Sequence, residues 1–299
     1  MERKVSPLER RLRNRRRLLR VLSYAMRYLV AAALILFAVV PALWVVAASF
    51  NPAKSLTGGT FFPKHPGLIN YQQLLQNDFY PYIQWLLNSL KVAGITTAAT
   101  ILITCVAGYA LSRFRIRGKE HLQTAILVLN VFPAILAVVA LYSTFQQLGI
   151  FIPWLGLDSH GALIMVYIAF AMGINVLLVK AYIDAIPLEI DESALVDGAT
   201  PWQTFQHIIF PMIRPIAITV AVLSFIASYG DFVIARVLLK SADKLTVMVG
   251  LNLFQTVRFD VDFGMLTAGA VIAAIPILLM YFPLQRYVIS GLVSGAYKG

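Results

Sequence analysis

The sequence predicts an all-α membrane protein, a bundle of six transmembrane helices with its N- and C-termini cytoplasmic. Three observations carry this. Of 299 residues, 59% are hydrophobic and only 13% charged, with a mean hydropathy of +0.76, whereas a water-soluble domain carries about a quarter charged residues. Six runs approach the roughly 20 apolar residues needed to cross a hydrocarbon core. Lys and Arg are also divided unevenly between the segments that join those runs.

The elements follow in chain order. Residues 1–27 are a basic cytoplasmic segment holding ten of the 25 Lys and Arg. Such a block beside an apolar run is an orientation signal attracted to anionic lipid; with no interleaved aromatics, it does not suggest nucleic acid. The predicted spans are 28–49, 92–111, 122–146, 161–179, 216–235 and 263–285, and only the fifth contains a charge, Asp231. The first run has full spanning length and ends in no small-residue cleavage pattern, so a removable signal peptide is not expected. With the N-terminus inside, inner segments hold eighteen Lys and Arg and outer segments seven (Lys54, Lys64, Lys91, Arg236, Lys240, Lys244 and Arg258). The resulting organisation is a transmembrane domain at 28–289 with external loops at 50–84 and 237–262, a cytoplasmic loop at 182–215, and a cytoplasmic tail at 290–299.

Prolines and glycines in the first external loop predict irregular chain with a short helix near residues 71–76. Trp44, Trp85 and Trp154, with Tyr80 and Tyr82, suit an aromatic belt at the outer boundary. Pro133 and Pro276 predict kinks. Asp231, near the outer end of its span, is expected to make a structural hydrogen bond.

Several chemistries are excluded. A single cysteine, Cys105, permits no intramolecular disulfide or Cys-based metal site, and no G-x-x-x-x-G-K-[ST] loop is present. His65, His121, His160 and His207 have no metal-ligand spacing, and no paired carboxylates or nucleophile–base arrangement emerges. Neither a resident metal nor a catalytic residue is expected.

The loop at 182–215 is too long for a passive connection, which is usually 2–8 residues. Pro187 suits a first helical turn, and Glu189, Asp191 and Glu192 crowd the positive end of that helix. Gly198 allows a tight break after Asp197; Thr200-Pro201 then opens a second helix over 202–210, ended by Pro211. The predicted result is a helical hairpin with an apolar face of Leu188, Leu195, Phe205, Ile208 and Ile209, better suited to docking on a cytoplasmic protein than to lying on an anionic leaflet.

The run Glu192-Ser193-Ala194-x-x-Asp197-Gly198-Ala199, followed by Phe205 and Phe210-Pro211, resembles the EAA loop of ABC importer permeases, with Ser193 where that family usually has Ala. Asn70-Tyr71, Trp85 with Asn88-Ser89-x-Lys91, Ser224-Phe225-Ile226 with Asp231-Phe232, and Gln285-Arg286-Tyr287 resemble carbohydrate-type members. The block from Asp197 to Gln203 and the ending Gly295-x-x-Lys298-Gly299 are similar to the MalG-like permeases of maltose/maltodextrin transporters.

The resemblance implies a type I ABC importer permease that is not itself an enzyme. It pairs with a second, related permease (MalF-like), two ATPase subunits (MalK-like) and an extracytoplasmic sugar-binding protein. ATP and Mg are used by the ATPases, and this chain binds no cofactor. It further implies that Glu192, Ala194, Asp197, Gly198 and Ala199 contact the ATPase, and that the tail residues Gly295, Lys298 and Gly299 reach the same subunit. Asn252, Phe254, Gln255 and Arg258 are then candidates for a loop facing the binding protein and its sugar. The alternatives left open are a permease for another solute (trehalose, another oligosaccharide or a polyol phosphate) and a stand-alone secondary transporter. Against the latter stand the near absence of ionisable residues in the spans and of repeat symmetry.

Overall fold

The computed structural model describes residues 7–52, 62–63, 65–77, 79–131, 133–256 and 262–296. Every regular element among them is helical. Helix α1, Pro7–Ser49, joins the basic segment to the first predicted span without a break, and Pro41 sits inside it. Its 43 residues extend for roughly 65 Å, about twice the thickness of a hydrocarbon core. Helix α2 is Ile69–Leu75, where a short helix was expected.

Helix α3, Tyr82–Arg113, begins ten residues before the predicted span, behind Pro81. Its added turns are buried rather than interfacial: Tyr82 is 1% exposed and Trp85 not at all. Trp85 and Tyr82 therefore belong to the core and not to an aromatic belt, while Trp154 is 65% exposed.

The predicted span 122–146 is two helices, α4, Lys119–Val131, and α5, Val138–Phe151, with a single 3-10 stretch, Ala134–Ala137, between them. Pro133 causes more than a kink, because its ring supplies no N–H and opposes the carbonyl one turn back. Helix α6 is His160–Asp184, capped by Ser159, whose Oγ accepts from the Ala162 N–H.

The hairpin follows as α7, Leu188–Val196; α8, Pro201–Thr204; a π-helical turn, Phe205–Ile209; and α9, Phe210–Met212. Pro211 does not end this second helix as expected. The widened turn, closed by the Phe210 N–H on the Phe205 carbonyl, accommodates it. A 75° bend at Ile213 then leads into α10, Arg214–Gly230.

The fifth predicted span ends five residues early, at Gly230, and Asp231 stands in the break before α11, Val233–Leu238. There its Oδ2 accepts from the N–H groups of Ile234 and Ala235 and from the Tyr167 hydroxyl. Helix α12 is Val247–Thr256, and α13, Phe263–Ala296, contains Pro276 and Pro283 without interruption. Among the described residues, four helices are long and apolar enough to cross a membrane, five if the bent pair counts as one.

Long-range contacts fix the direction of each helix. The first turns of α3 and α6 lie at one end of the bundle, where Asn88 and His160 both meet the chain at residues 243–245. Their last turns lie at the other end, where the Ser112 hydroxyl donates to Asp184. Helices α3 and α6 therefore run in the same direction. The chain between them must return along the bundle, and α4 and α5 do so beside α6: Asn130 lies against Gly173, and Lys240, just beyond α11, donates to the Tyr142 hydroxyl.

Helix α13 starts beside Asn70, which also binds the carbonyls of Ser49 and Asn51 at the end of α1. It finishes at the hairpin end, where Thr219 reaches the Tyr287 carbonyl. The N-terminus of α1 and the C-terminus of α13 thus share the hairpin end. Near the hairpin end, Gly108 lets α3 and α6 approach closely, since a Cβ there would fall 2.8 Å from Val179 Cγ1.

Candidate functional site

The hairpin is built by local chemistry. Glu189 and Asp191 occupy the first turn of α7, where exposed N–H groups favour carboxylates. The helix ends in a Schellman motif: the Gly198 N–H donates to the Leu195 carbonyl at 3.1 Å and the Ala199 N–H to the Ala194 carbonyl at 2.9 Å. This closure requires the positive φ of +86° found at Gly198. Thr200 and Gln203 form a reciprocal capping box, with Pro201 at the first helical position.

Two kinds of contact seat the hairpin on the bundle. Its second helix buries Phe205 and Ile209 in a cluster with Cys105, Tyr109, Val179, Ile183, Ile213 and Ile216. The Tyr109 and Phe205 rings lie 5.0 Å apart. Helix α7 packs through Ile190 and Ala194 and adds polar contacts: Arg113 Nε donates to Asp191 Oδ2 at 2.9 Å, and Arg113 Nη2 to the Ile186 carbonyl at 3.0 Å. Both side chains of this ion pair are nearly buried, at 8% and 12% exposed. The Tyr109 hydroxyl lies 3.4 Å from Asp191 Oδ1 and 3.3 Å from the Pro201 carbonyl.

The expected contact residues divide between two faces. Glu192, Asp197 and Gly198 are exposed and Ala199 half-buried, whereas Ala194 is 5% exposed and packs inward, one turn from Asp191. The expected apolar face is split in the same way. Phe205 and Ile209 face the bundle, and Leu188 and Leu195 face outward. Sequence reasoning missed Val196, 88% exposed, and Trp202, 57% exposed, which complete an outward apolar surface. It also missed Arg113, which had counted only as one basic residue among several.

The opposite end explains the remaining motif residues. Trp85 Nε1 donates to the Ala242 carbonyl at 2.7 Å, Asn88 Nδ2 to the carbonyls of Asp243 and Leu245, and the Val247 N–H to Ser89 Oγ. These side chains stitch the start of α3 to the chain that leads into α12. Within the expected external loop, residues 247–256 form that helix, and Phe254 is 2% exposed, packed with Tyr80 and Trp85 instead of facing outward. Gln255 is exposed and Asn252 half-buried, while Arg258 lies outside the described residues. The expected tail continues as α13 to Ala296; Gly295 lies in that helix, and Lys298 and Gly299 lie outside the described residues.

A second clamp at this end joins the α5–α6 turn to the chain after α11. Asp158, in a left-handed conformation with φ of +59°, accepts hydrogen bonds from the N–H groups of Lys240 and Ser241, the Ser241 hydroxyl and the Lys244 ammonium. Burial alone would raise its pKa. Those donors outweigh burial and hold the carboxyl well below the usual carboxylate range.

Comparison with known proteins agrees with this architecture. The family described as binding-protein-dependent transport system inner membrane component matches residues 100–292. The galactooligosaccharides transport system permease protein GanQ of Bacillus subtilis is 36% identical over 91% of this chain and 94% of its own length. The maltose/maltodextrin transport system permease protein MalG of Vibrio vulnificus is 36% identical over 87% of this chain and 90% of its own. Among solved structures, a chain of a bacterial ABC transporter involved in the import of the acidic polysaccharide alginate superposes with a TM-score of 0.76 at 20% identity, covering 89% of this chain and 96% of that one. This likeness shows the shared fold. A multi-pass protein of the prokaryotic inner membrane, acting as a non-catalytic transport component, follows from the family and from the apolar helices. The chain belongs to the binding-protein-dependent transport system inner membrane component family, and within it to the MalG-like permeases of ABC importers.

Proposed function

We propose that this chain forms half of the translocation path of an ATP-driven oligosaccharide importer and receives the work of ATP hydrolysis through its hairpin. The carrying observation is the hairpin itself, a capped and braced unit at the end of the bundle that turns Leu188, Leu195, Val196 and Trp202 outward. Apolar side chains held rigidly in this way suit a protein groove. Glu192, Asp197, Gly198 and Ala199 would lie in the contact with the ATPase, and Ala194 would brace α7 from within.

On this reading there are six spans, α4 and α5 together making the third, and the hairpin and both termini are cytoplasmic. The charge bias of the sequence and the shared end of α1, α13 and the hairpin support this arrangement. Residues 1–27 extend the first span into the cytoplasm, 28–289 form the transmembrane domain, and 290–299 carry Gly295, Lys298 and Gly299 toward the ATPase. At the outer end, Asn252, Gln255 and Arg258 are the residues proposed to meet the binding protein. ATP and Mg belong to two ATPase subunits, and a second permease completes the path.

Maltose/maltodextrin-type sugars are the proposed substrate. The similarity to GanQ supports galactooligosaccharides as a second reading. The test is purification from native membranes in mild detergent, with mass spectrometry, and reconstitution of the recovered complex. Recovery with a second permease and a Walker-containing ATPase, and sugar uptake only with ATP, is expected. Uptake by this chain alone in ATP-free vesicles would overturn the proposal.

A further inference from the structure

The two helices of the hairpin share one apolar cluster but are packed into it to different extents. The second is packed through Phe205, Ile209 and Ile213 into an apolar cluster shared with α3, α6 and α10. Helix α7 has nine residues and buries fully only Asp191 and Ala194, with Ile190 half-buried at the edge of that cluster, while Leu188, Leu195 and Val196 point away. A helix of this length does not hold its position by itself. Besides Ile190 and the Tyr109 hydroxyl near Asp191, it is tied by Arg113, in the last turn of α3, whose guanidinium joins Asp191 of α7 to the Ile186 carbonyl in the link after α6. Beside it, Ser112 donates to Asp184 at 2.6 Å, tying the same turn of α3 to the end of α6.

We infer that Arg113 is a positioning residue of the transport cycle, locking α7 to α3 so that displacement of the hairpin is passed to that span instead of being absorbed at residues 185–187. The inference rests on the functional reading above and extends it by naming the joint through which motion leaves the hairpin. The chemistry suits Arg in particular. Its planar fork presents donors in fixed directions, so one side chain serves a carboxylate and a carbonyl together; Lys, a point charge on a flexible stem, can pair with Asp191 but does not reproduce the second bond. Removing Arg113 breaks this joint and leaves α7 only the packing of Ile190 and Ala194, while the second helix keeps its full apolar seat. The expected consequence is an importer that assembles and hydrolyses ATP but transports less per ATP.

The test measures sugar imported per ATP hydrolysed in proteoliposomes holding the whole transporter. Arg113→Gln is expected to lower this ratio by at least about fivefold, the lower end of usual couplings between sites, with Arg113→Lys in between. An unchanged ratio in Arg113→Gln overturns the inference. If Arg113→Gln does not assemble, the doubly substituted Arg113→Cys/Asp191→Cys transporter decides, joined by a short cleavable thiol reagent; Cys105, the chain's one native cysteine, is buried. The joined form is expected to recover the ratio and to lose it on cleavage, which a merely structural role does not predict. The same ratio before and after cleavage, or no recovery on joining, overturns the inference. Failure of the wild-type transporter to import sugar with ATP is a separate result, and it removes the functional reading itself.

Discussion

Gly250 and Trp85 pack so closely that a Cβ on Gly250 would fall 2.1 Å from Trp85 Cε3. The indole cannot retreat, because it is fully buried and its N–H is committed to the Ala242 carbonyl. Gly250→Ala is therefore expected to destabilise the end of the bundle opposite the hairpin by about 1–3 kcal/mol, the usual cost of overpacking. Thermal unfolding of the purified transporter measures it. Gly94→Ala, where a Cβ meets nothing within 4 Å, is the control and should be neutral or slightly stabilising.

At Gly198 the reason for glycine is different. A Cβ there meets nothing within 4 Å, yet φ is +86°. The cost of Gly198→Val is thus conformational, about 1–3 kcal/mol for a side chain held in this region, and it falls on the Schellman closure. Transport per ATP should drop in Gly198→Val and be largely kept in Gly198→Asn, since Asn tolerates a left-handed backbone. Normal coupling in the valine variant would refute the idea that this turn must be rigid.

The outward apolar residues of the hairpin predict a surface effect without a stability effect. Val196→Asp and Leu195→Ala are expected to leave the stability of the purified chain nearly unchanged, within about 0.5 kcal/mol. Both should weaken binding of the ATPase by about tenfold or more, as loss of a buried interface anchor does. Titration of the ATPase onto the detergent-solubilised permease measures this. Equal affinity in both variants would place the contact elsewhere.

Asp158 makes the clamp at the end opposite the hairpin pH-dependent. Its carboxyl titrates below the unfolded value of 3.8, so the folded state favours the charged form. The stabilisation is complete above about pH 4 and is lost as pH falls from there toward the folded pKa. Asp158→Asn should cost about 1–2 kcal/mol at neutral pH through weaker bonds to Lys240, Ser241 and Lys244. The gap from wild type should hold down to about pH 4 and narrow below it, as followed by thermal melts across pH. A gap that widens with acid would contradict this sign.

The hairpin was legible because local chemistry sets its boundaries: acids at the start of α7, Gly198 at its end, and Thr200-Pro201 opening the next helix all act within a few residues. The apolar runs were legible for a similar reason, since hydropathy reports what a segment can cross. Hydropathy does not say which face of a segment is buried, because lipid suits an apolar side chain as well as a protein core does. Hence Trp85 was expected at an interface and Phe254 in an external loop, although both are core residues. Ala194 was expected at a contact and instead lies inward, a placement set by its three-residue spacing from Asp191. The partner of Asp191 lies 78 residues away, on another helix, and no local pattern announces that pairing.

If the outward face of α7 receives the ATPase, a photocrosslinking amino acid at Val196 in the assembled transporter, followed by mass spectrometry of the product, will capture that contact. A crosslink to the ATPase is expected, with a yield that changes between nucleotide-free and ATP-bound states. A product containing only lipid, with the ATPase present and unlabelled, would contradict it.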